Sequence, residues 1–139
     1  MTIEAFLAEW RNDSPTVLVH TSGSTGEPKP MWVEKRRMEA SARMTCDFLG
    51  LHEGDTALLC LPLDFIAGKM MVVRSLVRGL RLVSVVASGE PLGRGAGGGL
   101  GVDFAAMVPM QVWNTLRVAE QRARLMQIRP LIIGGGAID

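Results

Sequence analysis

The sequence predicts an α/β fold, a layered sheet with flanking helices. Three observations carry this. Apolar runs of strand length, rich in β-branched residues, alternate with segments whose apolar residues recur at helical spacing. Glycine or proline stands near most switches between the two patterns. The apolar fraction is 47% of 139 residues, enough for a core within one domain.

The elements follow in chain order. Ile3, Phe6, Leu7 and Trp10 fall on one face of a helix over residues 3–10. After Pro15, the run Thr16 to Val19 reads as a buried strand. A hydroxyl- and glycine-rich stretch leads to a second short strand at Met31 to Val33. The run Pro28–Lys29–Pro30 is hostile to a helix interior, so two strands joined by a loop are predicted over 17–33. Residues 34–49 repeat Met38, Ala42, Thr45 and Leu49 on one helical face, and Gly50 closes it. TALLCLPL, 56–63, is a buried strand. Residues 65–78 are apolar almost all round, a buried helix closed by Gly79. LRLVSVVA is a third long strand and VDFAAMV a shorter one. Pro109 starts a helix that Val112, Trp113, Leu116, Ala119 and Ala123 continue. PLIIGGG is a last strand running into glycines. No internal repeat is visible.

Composition excludes several function classes. Net charge is +1 with both signs interleaved, unlike the basic stripe of a nucleic-acid binder. The N-terminal residues have no basic start followed by a long apolar core, as a signal peptide would. The apolar stretch 57–73 is broken by Pro62, Asp64, Gly68 and Lys69, which argues against a membrane span. A cytoplasmic chain with neither nucleic-acid nor membrane partner is expected. Cys46 and Cys60 have no metal-ligand spacing and read as two buried thiols.

The stretch TSGSTGEPKP carries the chemistry. It is not the common nucleotide P-loop, which needs G-x-x-x-x-G-K-[ST] opening into a helix. Counting from Gly23, Pro28 stands where the second glycine belongs, Lys29 is followed by Pro30, and a strand follows. The composition still suits phosphate. Gly23 and Gly26 permit close backbone approach, and successive N–H groups can form an anion-binding nest. Thr21, Ser22, Ser24 and Thr25 add hydroxyl donors, and Lys29 adds a point charge. The alternative is a solvent-exposed hairpin turn built of ordinary turn formers.

TSGSTGEPK resembles the ATP loop of the adenylate-forming enzymes, the acyl-CoA synthetases and aryl-CoA ligases, whose pattern T-S-G-[ST]-T-G-x-P-K residues 21–29 match throughout. LLCLPLDFIAGKMMVVRSLVRG, DFAAMVPMQV and LIIGGGAID resemble that family's following blocks, in the same order. IAGKMMVVR together with IIGGGAID is similar to the o-succinylbenzoate–CoA ligases of menaquinone biosynthesis. The likeness runs from about Val17 to Asp139.

The resemblance implies an ATP-dependent ligase that adenylates a carboxylate and passes the acyl group to CoA. Its partners are then ATP, an aromatic or acyl carboxylate and CoA, with Mg2+ as cofactor. The resemblance places phosphate contact at Thr21, Ser22, Gly23, Ser24, Thr25, Gly26 and Lys29. Adenine packing falls to Gly134, Gly135, Gly136 and Ala137, where missing side chains let a flat ring lie on the backbone. Phe65, Ile66, Gly68 and Lys69 are assigned to the acyl pocket; the competing reading makes them helix core with a snorkelling lysine. The family's Mg2+ glutamate, ribose aspartate, hinge and catalytic lysine have no counterpart in these residues. Residues 1–139 are therefore expected to be one partial N-terminal ATP- and acyl-binding domain, with no complete catalytic set, inactive alone and self-associating as a homo-oligomer. A non-catalytic phosphate-binding or interaction module is the alternative.

Other features have simpler readings. Gly93, Gly95 and Gly98 form G-x-G-x-x-G, but a strand rather than a helix follows, which removes the anion site of a dinucleotide fold. His20 reads as a strand residue and His52 as a loop residue. Arg74 and Arg78, at i and i+4, could meet a carboxylate or phosphate, although a salt-bridged edge is the usual case.

Overall fold

A computed structural model describes residues 1–22, 27–85 and 101–134. It is the layered α/β arrangement that the alternating pattern predicts. Helix α1 (Ile3–Arg11) opens at Thr2, whose hydroxyl accepts from the Ala5 amide at 3.1 Å. Strands β1 (Thr16–Ser22) and β2 (Pro28–Glu34) form an antiparallel hairpin, in register from Thr16↔Glu34 to Ser22↔Pro28. Two strands, not a strand and a helix, therefore flank the hydroxyl-rich loop. The connecting residues 23–26 lie outside the described residues.

Helix α2 (Lys35–Phe48) begins directly at the end of β2 and buries Met38, Ala42 and Cys46, spaced four apart. Strand β3 (Thr56–Leu59), helix α3 (Ile66–Arg78) and strand β4 (Arg81–Ser84) make a β–α–β unit. Gly79 closes α3 at φ 70°, where a side chain would be strained. Strand β5 (Phe104–Met107), helices α4 (Pro109–Leu116) and α5 (Ala119–Leu125), and strand β6 (Leu131–Ile133) complete the chain. The main sheet runs in the order β4-β3-β5-β6, with every pairing parallel.

Both faces of this sheet are covered, as a parallel sheet requires. Ala57, Leu59, Phe104 and Ala106 face a core shared with α1, α2, α3 and the hairpin. Their neighbours Leu58, Cys60, Ala105 and Met107 face a second core completed by Leu125 and Ile128. The period-2 alternation of one strand thus supplies two layers. Burial pushes the Cys60 thiol up to about 12, and its Sγ donates to the Ala106 carbonyl at 3.4 Å. Cys46 is also buried and free, and burial raises its pKa as well.

The structure corrects two predicted elements. The strand expected through Leu63 leaves the sheet after Leu59. Pro62 has no N–H to give a ladder, and the turn 61–65 redirects the chain into α3. The single helix expected from Pro109 to Ala123 is two helices, parted where Val118 is extended. In α4 the buried positions are Gln111 and Thr115, and in α5 Gln121 and Leu125. Carried on as one helix, Gln121 would point about 120° away from Thr115, since each residue turns the helix about 100°. The break rephases the buried stripe.

Candidate functional site

In parallel sheets, ligands bind in the crevice beyond the carboxyl ends of the strands. Here a cavity of about 260 Å3 opens at that place. Its walls come from the turn after β3 (Leu61), the first turns of α3 (Ile66, Ala67, Met70, Arg74), the end of β5 (Ala106, Met107) and the end of β6 (Ile132, Gly134). The Gly134 amide donates to the Met107 carbonyl at 3.1 Å, which holds the start of the glycine run beside β5. A Cβ at Gly134 would meet nothing within 4 Å, so open space lies next to that backbone.

One cation lines this otherwise apolar cavity. Arg74 is half-buried, and its Nε is a buried donor with no hydrogen-bond partner among the described residues. A guanidinium nitrogen contacts the Met71 sulfur at 3.5 Å. Burial holds the Arg74 pKa below its usual value. An unpaired donor in such surroundings costs free energy until an anion or an acceptor reaches it. Arg78, one turn on, is different. It pairs with Asp47, and a second donor reaches the Leu51 carbonyl at 3.0 Å. Among the described residues the salt-bridged reading holds for Arg78 and not for Arg74. The sequence sets Arg74 beside Arg78 as a possible carboxylate or phosphate partner and does not distinguish the two. The only sequence signal at Arg74 is an arginine inside a helix that is apolar almost all round.

The proposed acyl-pocket residues are divided. Ile66 lines the cavity. Gly68 lies under it: a Cβ there would stand 2.2 Å from the Pro62 carbonyl oxygen, so the glycine lets α3 rest against the 61–65 turn. Phe65 and Lys69 line a separate cavity of about 290 Å3, with Met1, Glu9, Leu18, His20 and Asp64. Lys69 is 2% exposed, donates to the Leu63 carbonyl and stands 5.7 Å from the Phe6 ring centre. Burial lowers its pKa, and Glu9 and Asp64 partly oppose that. It is a buried clamp, not a snorkelling side chain. His20 is half-buried, and its backbone forms a bridge to Phe65. That bridge ties the strand entering the hydroxyl-rich loop to the turn that starts the cavity wall.

Of the residues expected to meet phosphate, Thr21 is half-buried near the loop end of the hairpin, paired in register with an exposed Lys29. Ser22 ends β1 opposite Pro28. Gly23, Ser24, Thr25 and Gly26 lie outside the described residues, as do Gly135, Gly136, Ala137 and the glycine run at Gly93, Gly95 and Gly98. A hydroxyl and an ammonium thus flank the loop, which fits a polyphosphate. Among the described residues no group of three His, Cys, Asp or Glu side chains could hold a metal ion. No helix among them is long and apolar enough to cross a membrane.

Residues 5–139 match the model of the AMP-binding enzyme family. The chain belongs to that family. The chain is similar to the 2-succinylbenzoate–CoA ligase of Escherichia coli (strain K12), 30% identical over 134 residues, 96% of this chain and 28% of the relative. A crystal structure of an acyl-CoA synthetase (AMP-forming)/AMP-acid ligase II-like protein from Dyadobacter fermentans superimposes with a TM-score of 0.83 at 35% identity, covering 97% of this chain and 38% of that one. The o-succinylbenzoate coenzyme A synthetase of Bacillus subtilis, in complex with ATP and magnesium ion, superimposes with a TM-score of 0.67 at 26% identity, covering 87% and 25%. The chain therefore spans between a quarter and two-fifths of these relatives. Its parallel sheet and flanking helices are those of the adenylate-forming N-terminal domain.

Proposed function

We propose that these residues form the nucleotide- and acyl-binding part of an ATP-dependent, AMP-forming carboxylate–CoA ligase, acting on a dicarboxylic acid of the o-succinylbenzoate type in menaquinone biosynthesis. The observation that carries the substrate reading is Arg74, an unpaired, partly buried cation in an apolar cavity at the strand ends. An aromatic acid with two carboxylates fits it. One carboxylate reacts, and the other meets the guanidinium in a charge-assisted pair.

In the reaction, a carboxylate oxygen bonds to the α-phosphorus of ATP while the bond to the bridging oxygen breaks and pyrophosphate leaves. The CoA thiolate then attacks the acyl carbon, and AMP departs. Such transfers are catalysed by positioning and charge stabilisation more than by covalent help. In this reading Thr21, Ser22, Gly23, Ser24, Thr25, Gly26 and Lys29 hold the phosphates, and Gly134, Gly135, Gly136 and Ala137 take the adenine. Ile66 and Arg74 touch the acid, and Gly68, Phe65 and Lys69 set the wall from behind. The Mg2+ ligand and the catalytic lysine belong to other residues of the complete enzyme, in which 1–139 form part of the N-terminal domain.

The loop reading is tested by comparing Lys29→Ala with Arg78→Ala. A charge-assisted hydrogen bond to phosphate is worth roughly 1.5–3 kcal/mol, so Lys29→Ala should weaken ATP binding about ten- to hundredfold. Arg78 is occupied by Asp47 and Leu51, and its loss should change ATP affinity little. Unchanged ATP affinity in Lys29→Ala, measured by calorimetry on the complete polypeptide, means that the loop is an ordinary turn.

A further inference from the structure

We propose that the exposed face of α4, with the arginines that follow it, docks on an anionic lipid surface. Met110, Trp113 and Leu116 are 67%, 63% and 41% exposed. With Arg117 they fall within about 120° of the helix circumference, opposite the buried Gln111 and Thr115. Arg117 lies 6.0 Å from the Trp113 ring centre, a pairing of cation and indole that suits a lipid headgroup boundary. At the C-terminal cap of α5, Met126 is 72% exposed, one turn after an exposed Arg122.

Charge selects the occupant. Residues 109–130 hold four arginines and one glutamate. Among the described residues no ion pair joins Arg117, Arg122 or Arg129 to a carboxylate. Helix α2 also exposes apolar residues, Met44 and Phe48, yet its Arg36, Arg37 and Arg43 pair with Glu34 and Glu39. Helices α4 and α5 combine apolar exposure with arginines that no carboxylate neutralises among the described residues. A second copy of the same face would bring like charges together. A nucleic acid would meet the arginines but gain nothing from the methionines and leucine, which instead partition between acyl chains. The expectation of no membrane partner rested on the lack of a spanning segment, and interfacial contact does not need one.

The test is co-sedimentation of the complete polypeptide carrying these residues with vesicles of phosphatidylcholine alone, or with about one-third phosphatidylglycerol. Binding is expected on the anionic vesicles only, and it should weaken as salt rises. The double variant Arg117→Ala/Arg122→Ala should lower vesicle affinity about thirtyfold. Trp113→Ser should lower it as well, whereas the control Arg36→Ala/Arg43→Ala should not. Because all these side chains are exposed, circular dichroism should be unchanged in every variant. No binding to anionic vesicles, equal binding to neutral ones, or binding insensitive to Trp113 and the two arginines overturns the proposal. Self-association that Trp113→Ser abolishes, without lipid binding, assigns the face to a second copy instead.

Discussion

Replacing Arg74 with methionine should raise the KM of the complete enzyme for a dicarboxylic acid by roughly thirtyfold or more. Losing one partner of a desolvated charge pair costs about 2–5 kcal/mol, most of it the price of leaving the other charge unpaired. The effect should be confined to substrates with a second carboxylate. A monocarboxylic analogue, with nothing to offer the guanidinium, should be used equally well by both forms. Folding should not suffer. Arg74 is partly desolvated, its Nε meets no acceptor among the described residues, and another guanidinium nitrogen reaches only the weak acceptor of the Met71 sulfur. A methionine removes that unpaired donor and keeps much of the volume, so thermal stability should hold or rise. A structural arginine predicts the reverse: lowered stability with substrate discrimination unchanged. Steady-state kinetics with the two acids, beside a melting curve, separate the cases.

Gly68→Ala should lower stability by about 2 kcal/mol and damage acid binding with it. Two effects compete. Alanine in a helix interior is favoured over glycine by about 1 kcal/mol. Against this, the new Cβ would stand 2.2 Å from the Pro62 carbonyl oxygen and 2.8 Å from its carbon. That is backbone, not a flexible side-chain end, so α3 or the 61–65 turn must move. Overpacking of this kind costs about 3 kcal/mol, and the overlap wins. The turn also carries Leu61 of the cavity wall and the Phe65 bridge to His20. Chemical denaturation should show the loss, and a variant of wild-type stability would mean that the turn yields freely. Ala67→Gly, one residue earlier and exposed, should lose only helix propensity.

Much of this fold was legible in the residues. Pro28 and Pro30 exclude a helix after the loop, and the hairpin follows. The all-round apolar pattern of 66–78 marks a helix buried between sheet and partner helix. What was missed needed neighbours that are distant in sequence. Nothing local says that a helix breaks at Val118, because each half keeps a helical period and only the phase of burial differs. The site divides in the same way. The loop was readable because its chemistry is contiguous, from Thr21 to Lys29. The cavity is assembled from the turn after β3, α3, β5 and β6, so its one cation looked like Arg78, four residues on. Lys69 lines a different cavity from Arg74 and does not snorkel, because helix geometry turns it away from Met70 and Arg74, toward Phe6 and Leu63.

The central claim is that the hairpin loop and the cavity at the strand ends act together on ATP and an acid. Acid-dependent exchange of labelled pyrophosphate into ATP measures that directly, since the label enters only if an acyl-adenylate forms and reverses. With the complete polypeptide, the account predicts exchange with o-succinylbenzoate that needs Mg2+. It should fall at least tenfold in Lys29→Ala, and in Arg74→Met at subsaturating acid. No exchange with any aromatic or aliphatic carboxylic acid, from a folded protein that still binds ATP, would contradict it.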